Sequence, residues 1–466
     1  MAGKDKYNAI IIGAGLGGLA AAAFLAKAGL KTVIFEKTPY IGGRCRSCWF
    51  GNSKFGKYPF DVGPIFSGTN LIKLLKERLG EEPAFKITPV KILIFSKGKY
   101  LTTIPPGRHI LKDLRQMGAS FSEAIYSSYK LWRQRRLESY SHMDSHNDIA
   151  HFLTKNQLMR NILNMRAGLF HGCLPDDMPG YTFNNKDYGK PFYPIGGMQK
   201  IPDTLVSIIK KHGGQIHTAI PVSQILMEDG KAVGVLAEGE CIKSDFVISG
   251  ISVAQTVLEL CKGARFTFAF LDQVRSFKQG LQASMVFMII DRKKIDIPQG
   301  NLLYISLPPL DLNETMHQLF NGIYPDDPPF GLFVTEGIPQ QRFETATLIF
   351  YAPKGEVNRE RIVREGEQLV KKTNLFIPGF RDSILWQKTV TSLDYPAQIG
   401  FRSSVLPVAE SKTYRKLPFP LPIKNLFNVG SSVLPSGGGT VQAVKSGLEC
   451  GEFILISIKK EGYYGF

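Results

Sequence analysis

Asn8-Ala9-Ile10-Ile11-Ile12-Gly13-Ala14-Gly15-Leu16-Gly17-Gly18 is a short apolar, β-branched run that breaks into glycines spaced GxGxxG. Such a run suits a strand buried on both faces. An Ala-rich helix is expected over Leu19–Ala28, ended by Gly29, and a second strand over Lys31–Phe35 that terminates in Glu36. In this βαβ unit Gly13 suits the tight turn, Gly15 lets the backbone approach a pyrophosphate, and Gly18 lets helix and strand pack closely. The helix N-terminus offers N–H groups and a positive dipole end to that pyrophosphate, and Leu16 and Gly17 of the turn count among the cofactor-binding candidates. Glu36, followed by Lys37, stands where an acid accepts hydrogen bonds from a ribose diol, so the unit reads as a dinucleotide site.

Two more segments lie just beyond it, Gly42-Gly43-Arg44 and Phe60-Asp61-Val62-Gly63-Pro64. They read equally as the hold on the far end of an extended FAD or as an ordinary turn with a surface arginine. Spacing alone leaves both open. The chain's 466 residues exceed what one core supports, so two or three domains are expected. Its composition, 44% hydrophobic and 21% charged, excludes wholesale disorder or a fibrous rod. Six cysteines do not make a disulfide scaffold, and the Cys45/Cys48 pair lacks the second pair of a four-ligand zinc site. Reduced thiols and no metal are expected. No secretory leader pattern and no apolar run of about 20 residues appears, which points to the cytoplasm.

Later blocks repeat the theme. Tyr193-Pro194-Ile195-Gly196-Gly197-Met198 precedes an amphipathic helix over Ile201–His212. Strands are expected over Ile216–Ile220, Val222–Met227 and Val233–Leu236, with an Asp229-Gly230 hairpin, and then a buried strand at Phe246–Gly250. Asn425–Gly430 is another strand running into glycine, and Gly437-Gly438-Gly439 opens a helix from Thr440 to about Ile456. Ala443, Gly447 and Gly451 line one face of that helix. Helical glycines cost about 1 kcal/mol each, so a close contact must offset them. A second glycine-rich strand-to-helix turn favours a ligand over mere packing.

These blocks together resemble the flavoprotein family of phytoene desaturases and carotenoid isomerases, within the wider amine-oxidase-like group. The resemblance covers the first 70 residues, about 185–255, and the last 45 or so. It implies an α/β protein with a discontinuous Rossmann-type FAD-binding domain from residues 1–90, 185–275 and 410–466. An α+β substrate domain with a mixed or antiparallel sheet would come from 91–184 and 276–409. The implied FAD contacts add Gly43, Arg44, Asp61, Gly63, Pro64, Gly430 and Val441, and Val222 through a backbone amide beside the adenine. The amides of Gly438, Gly439 and Thr440 would face the flavin N1–C2=O edge. Family members with covalent flavin carry a Cys near this turn. Here Ser436 stands there and Cys450 lies far down the helix, so noncovalent FAD is expected. The implied activity is desaturation, saturation or isomerisation of a hydrophobic polyene or isoprenoid-like molecule. The alternatives are a flavin amine oxidase or protoporphyrinogen-oxidase-like enzyme, and a noncatalytic flavin-holding lipid carrier.

The net charge of +17 is concentrated. Between 91 and 140 stand Lys91, Lys97, Lys99, Arg108, Lys112, Arg115, Lys130, Arg133, Arg135 and Arg136 against Asp113, Glu123 and Glu138. Leu111, Leu114, Phe121, Ile125, Tyr126, Tyr129, Leu131 and Trp132 are interleaved, and Phe152–Phe170 continues apolar. Such a stretch suits the headgroups of an anionic bilayer as a peripheral contact. A solvated cationic face is the other reading. No nucleic-acid module appears, and no nucleic-acid partner is expected. Met198, Met285, Phe287, Phe350 and Tyr395 are candidate pocket residues, while His171, Asp176 and Asp177 read as an exposed polar loop. No catalytic acid or base stands out.

Overall fold

The computed structural model describes residues 6–96, 99–101, 111, 115, 119–136, 145–182, 189–276, 280–336, 341–396, 416–435 and 438–460. Two large sheets carry the chain. In the first, Tyr7–Ile12 lies between Thr32–Glu36 and Glu240–Ser249, parallel to both. Gln215–Thr218 extends the sheet beyond Thr32–Glu36, and Leu426–Asn428 pairs in parallel with Glu240–Ser249. The other half of Glu240–Ser249 continues into an antiparallel meander with Lys231–Ala237 and Val222–Glu228. The turn between those two strands has positive φ at both Asp229 (49°) and Gly230 (73°), the requirement of a type I′ hairpin.

The first helix, Leu16–Lys27, is buried nearly all round. It packs on the helix Lys200–Lys211 and on the last helix, Thr440–Lys460. This contact accounts for the small-residue face of the last helix. A Cβ on Gly447 would lie 2.2 Å from the Gly17 carbonyl oxygen, and one on Gly451 would lie 2.8 Å from the Phe24 ring. The two ends of the chain are thereby locked against each other.

The second sheet is mostly antiparallel and holds nine strands among the described residues. Its centre runs Ile384–Val390, Ala283–Ile290, Glu344–Tyr351, Phe330–Thr335, Asn301–Ser306, Ile87–Ser96. Ile87–Ser96 straddles the boundary expected at residue 90, because its apolar alternation continues through both halves. Pro191–Pro194 and Ser67–Gly68 complete the sheet at the edge nearest the first helix's domain. Val286, Met288, Tyr304, Leu332 and Phe350 share one face with the core under the helix Arg359–Lys372. Phe350 therefore packs beneath Gly366, so as a candidate pocket residue it is corrected to core. Alternation places Met285 and Phe287 on the other face, with Tyr395, Tyr58 and Phe60.

Candidate functional site

Four glycines of the opening turn differ in what they touch. Gly13 has φ of +91° and donates its N–H to the Phe35 carbonyl at 2.8 Å. A Cβ on Gly17 would sit 2.6 Å from the Gly430 nitrogen, and one on Gly18 would sit 2.4 Å from the Gly13 oxygen. Protein contacts explain all three. Gly15 is different: its φ of −75° suits any residue, and the nearest atom to an added Cβ is the Gly250 oxygen at 3.8 Å. The space above Gly15 is open, as a backbone that must approach a ligand requires. Gly15 also precedes a helix that has no side-chain cap and no acid in its first turn, beginning at Leu16. The positive end of that helix is left for an anion from outside the chain.

A second turn closes over this cradle. The Gly42 N–H donates to the Ala14 carbonyl at 2.9 Å, and a Cβ on Gly43 would lie 3.1 Å from the Gly15 Cα. Arg44 follows, and it is not a surface arginine. It is half-buried by area, yet its guanidinium is sufficiently enclosed that burial lowers its pKa to about 10. Its Nη2 donates to the Ser431 hydroxyl at 3.1 Å, beside Gly430 (φ +115°). The Gly63-Pro64 segment passes directly under this loop, where a Cβ on Gly63 would meet the Arg44 oxygen at 2.3 Å.

Glu36 does more than end a strand. Its Oε2 accepts the Ala14 N–H at 2.8 Å, and its Oε1 accepts the Thr38 N–H and hydroxyl, both at 2.9 Å. The carboxylate thus ties the strand end to the glycine turn while keeping one lone-pair site, on Oε2, for a further donor. Ala219 and Ile220 donate their N–H groups to the Thr38 and Glu36 carbonyls, which carries the chain past Glu36 into the strand that starts at Val222. The Lys37 side chain is exposed.

Asp61 is held by three protein donors. It accepts from Ser47 Oγ at 2.6 Å, Met198 N–H at 2.9 Å and Tyr193 Oη at 2.8 Å. Burial raises its pKa, against the pull of those three donors. Its role in these contacts is to fix the Tyr193–Met198 turn. Met198 is buried beside it.

At the far end Ser67 and Thr440 share a hydroxyl contact of 2.6 Å, joining the first sheet's last helix to an edge strand of the second sheet. Val441 is buried behind Thr440. Gly439 has φ of +96°. Ser436 and Gly437 lie outside the described residues. A Cβ on Gly438 would come within 2.7 Å of the His171 ring. His171 was expected in an exposed loop; it is instead 8% exposed, and burial, with Arg166 and Lys416 nearby, lowers its pKa to about 3. Asp176 is half-exposed and bonded to Asn147, Asn313 and His317. The free cysteines include a buried Cys45, whose thiol burial pushes up.

These segments bring together the first and last described parts of the chain, with an uncapped helix, an open glycine, an acid at a strand end and a desolvated arginine. Residues 16–452 match the family of flavin containing amine oxidoreductases, and the chain belongs to it. The protein is an oxidoreductase that uses a flavin. It is 24% identical to the 4,4'-diapolycopene oxygenase of Methylomonas sp, across 94% of this chain and 96% of the relative. It is 22% identical to the zeta-carotene-forming phytoene desaturase of Myxococcus xanthus, across 69% of this chain and 66% of the relative. An oxidoreductase structure from Methanosarcina mazei shares the fold, with a TM-score of 0.70 at 21% identity over 95% of this chain and 99% of that one.

Proposed function

We propose that the flavin is FAD, held noncovalently, and that the substrate is a hydrophobic polyene or isoprenoid-like molecule. The open space over Gly15 carries the cofactor reading, because nothing in the protein explains that glycine. The amides after Gly15 and the buried Arg44 would take the pyrophosphate, and Glu36 the ribose. The segment entering Val222 would take the adenine. Gly430 and the Gly438–Val441 turn would take the isoalloxazine. When bound, FAD supplies acceptance or return of a hydride. The chain's own part is orientation and exclusion of water. The substrate reading rests on relatives that carry carotenoid names; Met285, Phe287 and Tyr395, candidate pocket residues from the sequence, are core, packed with Tyr58, Phe60 and Val62. Purification without added cofactor, then mass spectrometry of co-eluting small molecules, tests both halves; absence of FAD refutes the first.

The helix Phe121–Arg136 adds a peripheral contact with an anionic membrane. The buried side of its described part is made of small residues: Ala124 is fully buried, and the Ser127 hydroxyl donates to the Leu153 carbonyl at 3.0 Å. Among its described side chains the large ones face outward, with Phe121 64%, Tyr126 56% and Tyr129 54% exposed, beside Phe152 at 55%. Lys130 lies over both Tyr126 (4.1 Å) and Phe152 (3.9 Å). Aromatic area with cations laid across it suits an interface of headgroups and acyl chains. Leu114, Lys97, Arg108, Lys112, Asp113 and Glu138 lie outside the described residues, as do the side chains of Lys99, Leu131, Trp132, Arg133, Arg135 and Arg136. No helix among the described residues is long and apolar enough to cross a membrane. Sedimentation with neutral and anionic vesicles at two salt concentrations tests this contact, and equal binding to both refutes its electrostatic part.

A further inference from the structure

His171 is placed by more constraint than a loop residue needs. The chain enters it through one turn of π-helix, Arg166–Phe170, a geometry that concentrates at functional sites. That turn is pinned from the second sheet, where the Tyr351 hydroxyl donates to the Leu169 carbonyl at 2.6 Å. On the exit side the Leu281 N–H donates to the Gly172 carbonyl at 2.9 Å, and Gly172 itself has φ of +61°. The ring then rests edge-on over Gly438: a Cβ there would lie 2.7 Å from Cε1 and 2.9 Å from Nδ1. Gly438 does not have the positive φ that demands glycine, so the space taken by the imidazole is what excludes a side chain. No hydrogen bond joins the ring to another described residue, although Thr440, two residues on, is fully engaged with Ser67.

The neutral ring keeps one N–H to donate. We infer that His171 is a flavin-contacting residue, donating its ring N–H to the isoalloxazine held at the Gly438–Thr440 turn. The inference rests on the flavin reading above. Burial and the neighbouring Arg166 and Lys416 keep the ring neutral, so it acts as a fixed dipole and not as a proton carrier. Negative charge on the cofactor is greatest when it is reduced, and a donor there favours the reduced form.

The test uses the FAD-loaded protein and its His171→Leu and His171→Gln variants, equilibrated against a redox dye, with the visible flavin spectrum as readout. Loss of a hydrogen bond to a charged acceptor is expected to shift the reduced-to-oxidised ratio about tenfold toward oxidised in His171→Leu. That is about 30 mV for a two-electron couple. His171→Gln, which keeps a donor, is expected to restore most of it. If His171→Leu does not fold, His171→Met carries the same comparison. Unchanged ratios in FAD-loaded variants overturn the inference, as does an equal shift in the glutamine and apolar variants. A wild-type protein that holds no FAD refutes the cofactor reading itself.

Discussion

Replacing Gly15 by Ala separates what the glycine does for the fold from what it does for a ligand. The added methyl meets no protein atom nearer than the Gly250 oxygen at 3.8 Å, and the backbone φ of −75° is one that alanine adopts. The cost to the empty protein is the small preference for Gly over Ala at a helix N-cap, of order 0.5–1 kcal/mol. In a chain of this size that moves the melting point by about 2–4 °C at most. The cost to the cofactor is larger. A methyl where pyrophosphate oxygens approach the helix amides displaces one or two charge-assisted hydrogen bonds, about 3 kcal/mol together. That weakens FAD binding by about two orders of magnitude. Gly18→Ala is the opposite control: its methyl would sit 2.4 Å from the Gly13 oxygen, so the turn must shift and the empty protein itself loses about 1–3 kcal/mol. Calorimetry of FAD-free protein and a fluorescence titration with FAD measure the two effects. An FAD affinity unchanged in Gly15→Ala refutes the reasoning, and so does a melting point as low as that of Gly18→Ala.

Glu36→Ala is expected to lower the melting point of FAD-free protein as well as FAD affinity. It strands the Ala14 and Thr38 donors at about 1–3 kcal/mol each, and an unchanged melting curve refutes that. Gly447→Ala drives a methyl into the Gly17 oxygen and Ala20 across the interface between the first and last helices. A loss of about 1–3 kcal/mol in urea unfolding is expected. His171 makes stability depend on pH in a defined direction. Below its ordinary value of 6.5 the unfolded chain takes up a proton that the folded ring, at about 3, does not. Its neutral-state contribution is therefore complete above pH 6.5 and is lost as pH falls toward 3. The loss is about 2 kcal/mol at pH 5. Urea unfolding of wild type and His171→Leu at pH 7.5 and 5 measures this, and parallel pH dependence in the two contradicts it.

The end of the candidate site proposed to hold the nucleotide was legible because its determinants are local. Gly13 to Glu36 forms one βαβ unit, so spacing along the chain equals arrangement in space. The small-residue face of the last helix was legible only as a demand for some close contact. Its partner, the Gly17–Phe24 stretch, lies more than four hundred residues away, and no periodicity names a partner. Asp61 shows the converse limit: a carboxylate beside glycines reads as a ligand-facing group, yet Ser47 and the Tyr193–Met198 turn supply its hydrogen bonds from two separate segments.

The end proposed to hold the flavin ring was harder to read for a further reason, and Gly438 shows it. In a run of three glycines each residue looks like part of one backbone device. Gly439 does need its positive φ, but Gly438 is small because a histidine from a distant π-turn occupies its side-chain space. His171 sat among Asp176 and Asp177, and local polarity suggested solvent. Burial was decided by Tyr351, Leu281 and Gly438, each from a different part of the chain. Tertiary packing of this kind converts a polar residue of no evident purpose into a neutral, fixed imidazole at the edge of the candidate site. The middle of the chain thus supplies a contact to the same turn that its first and last described segments build.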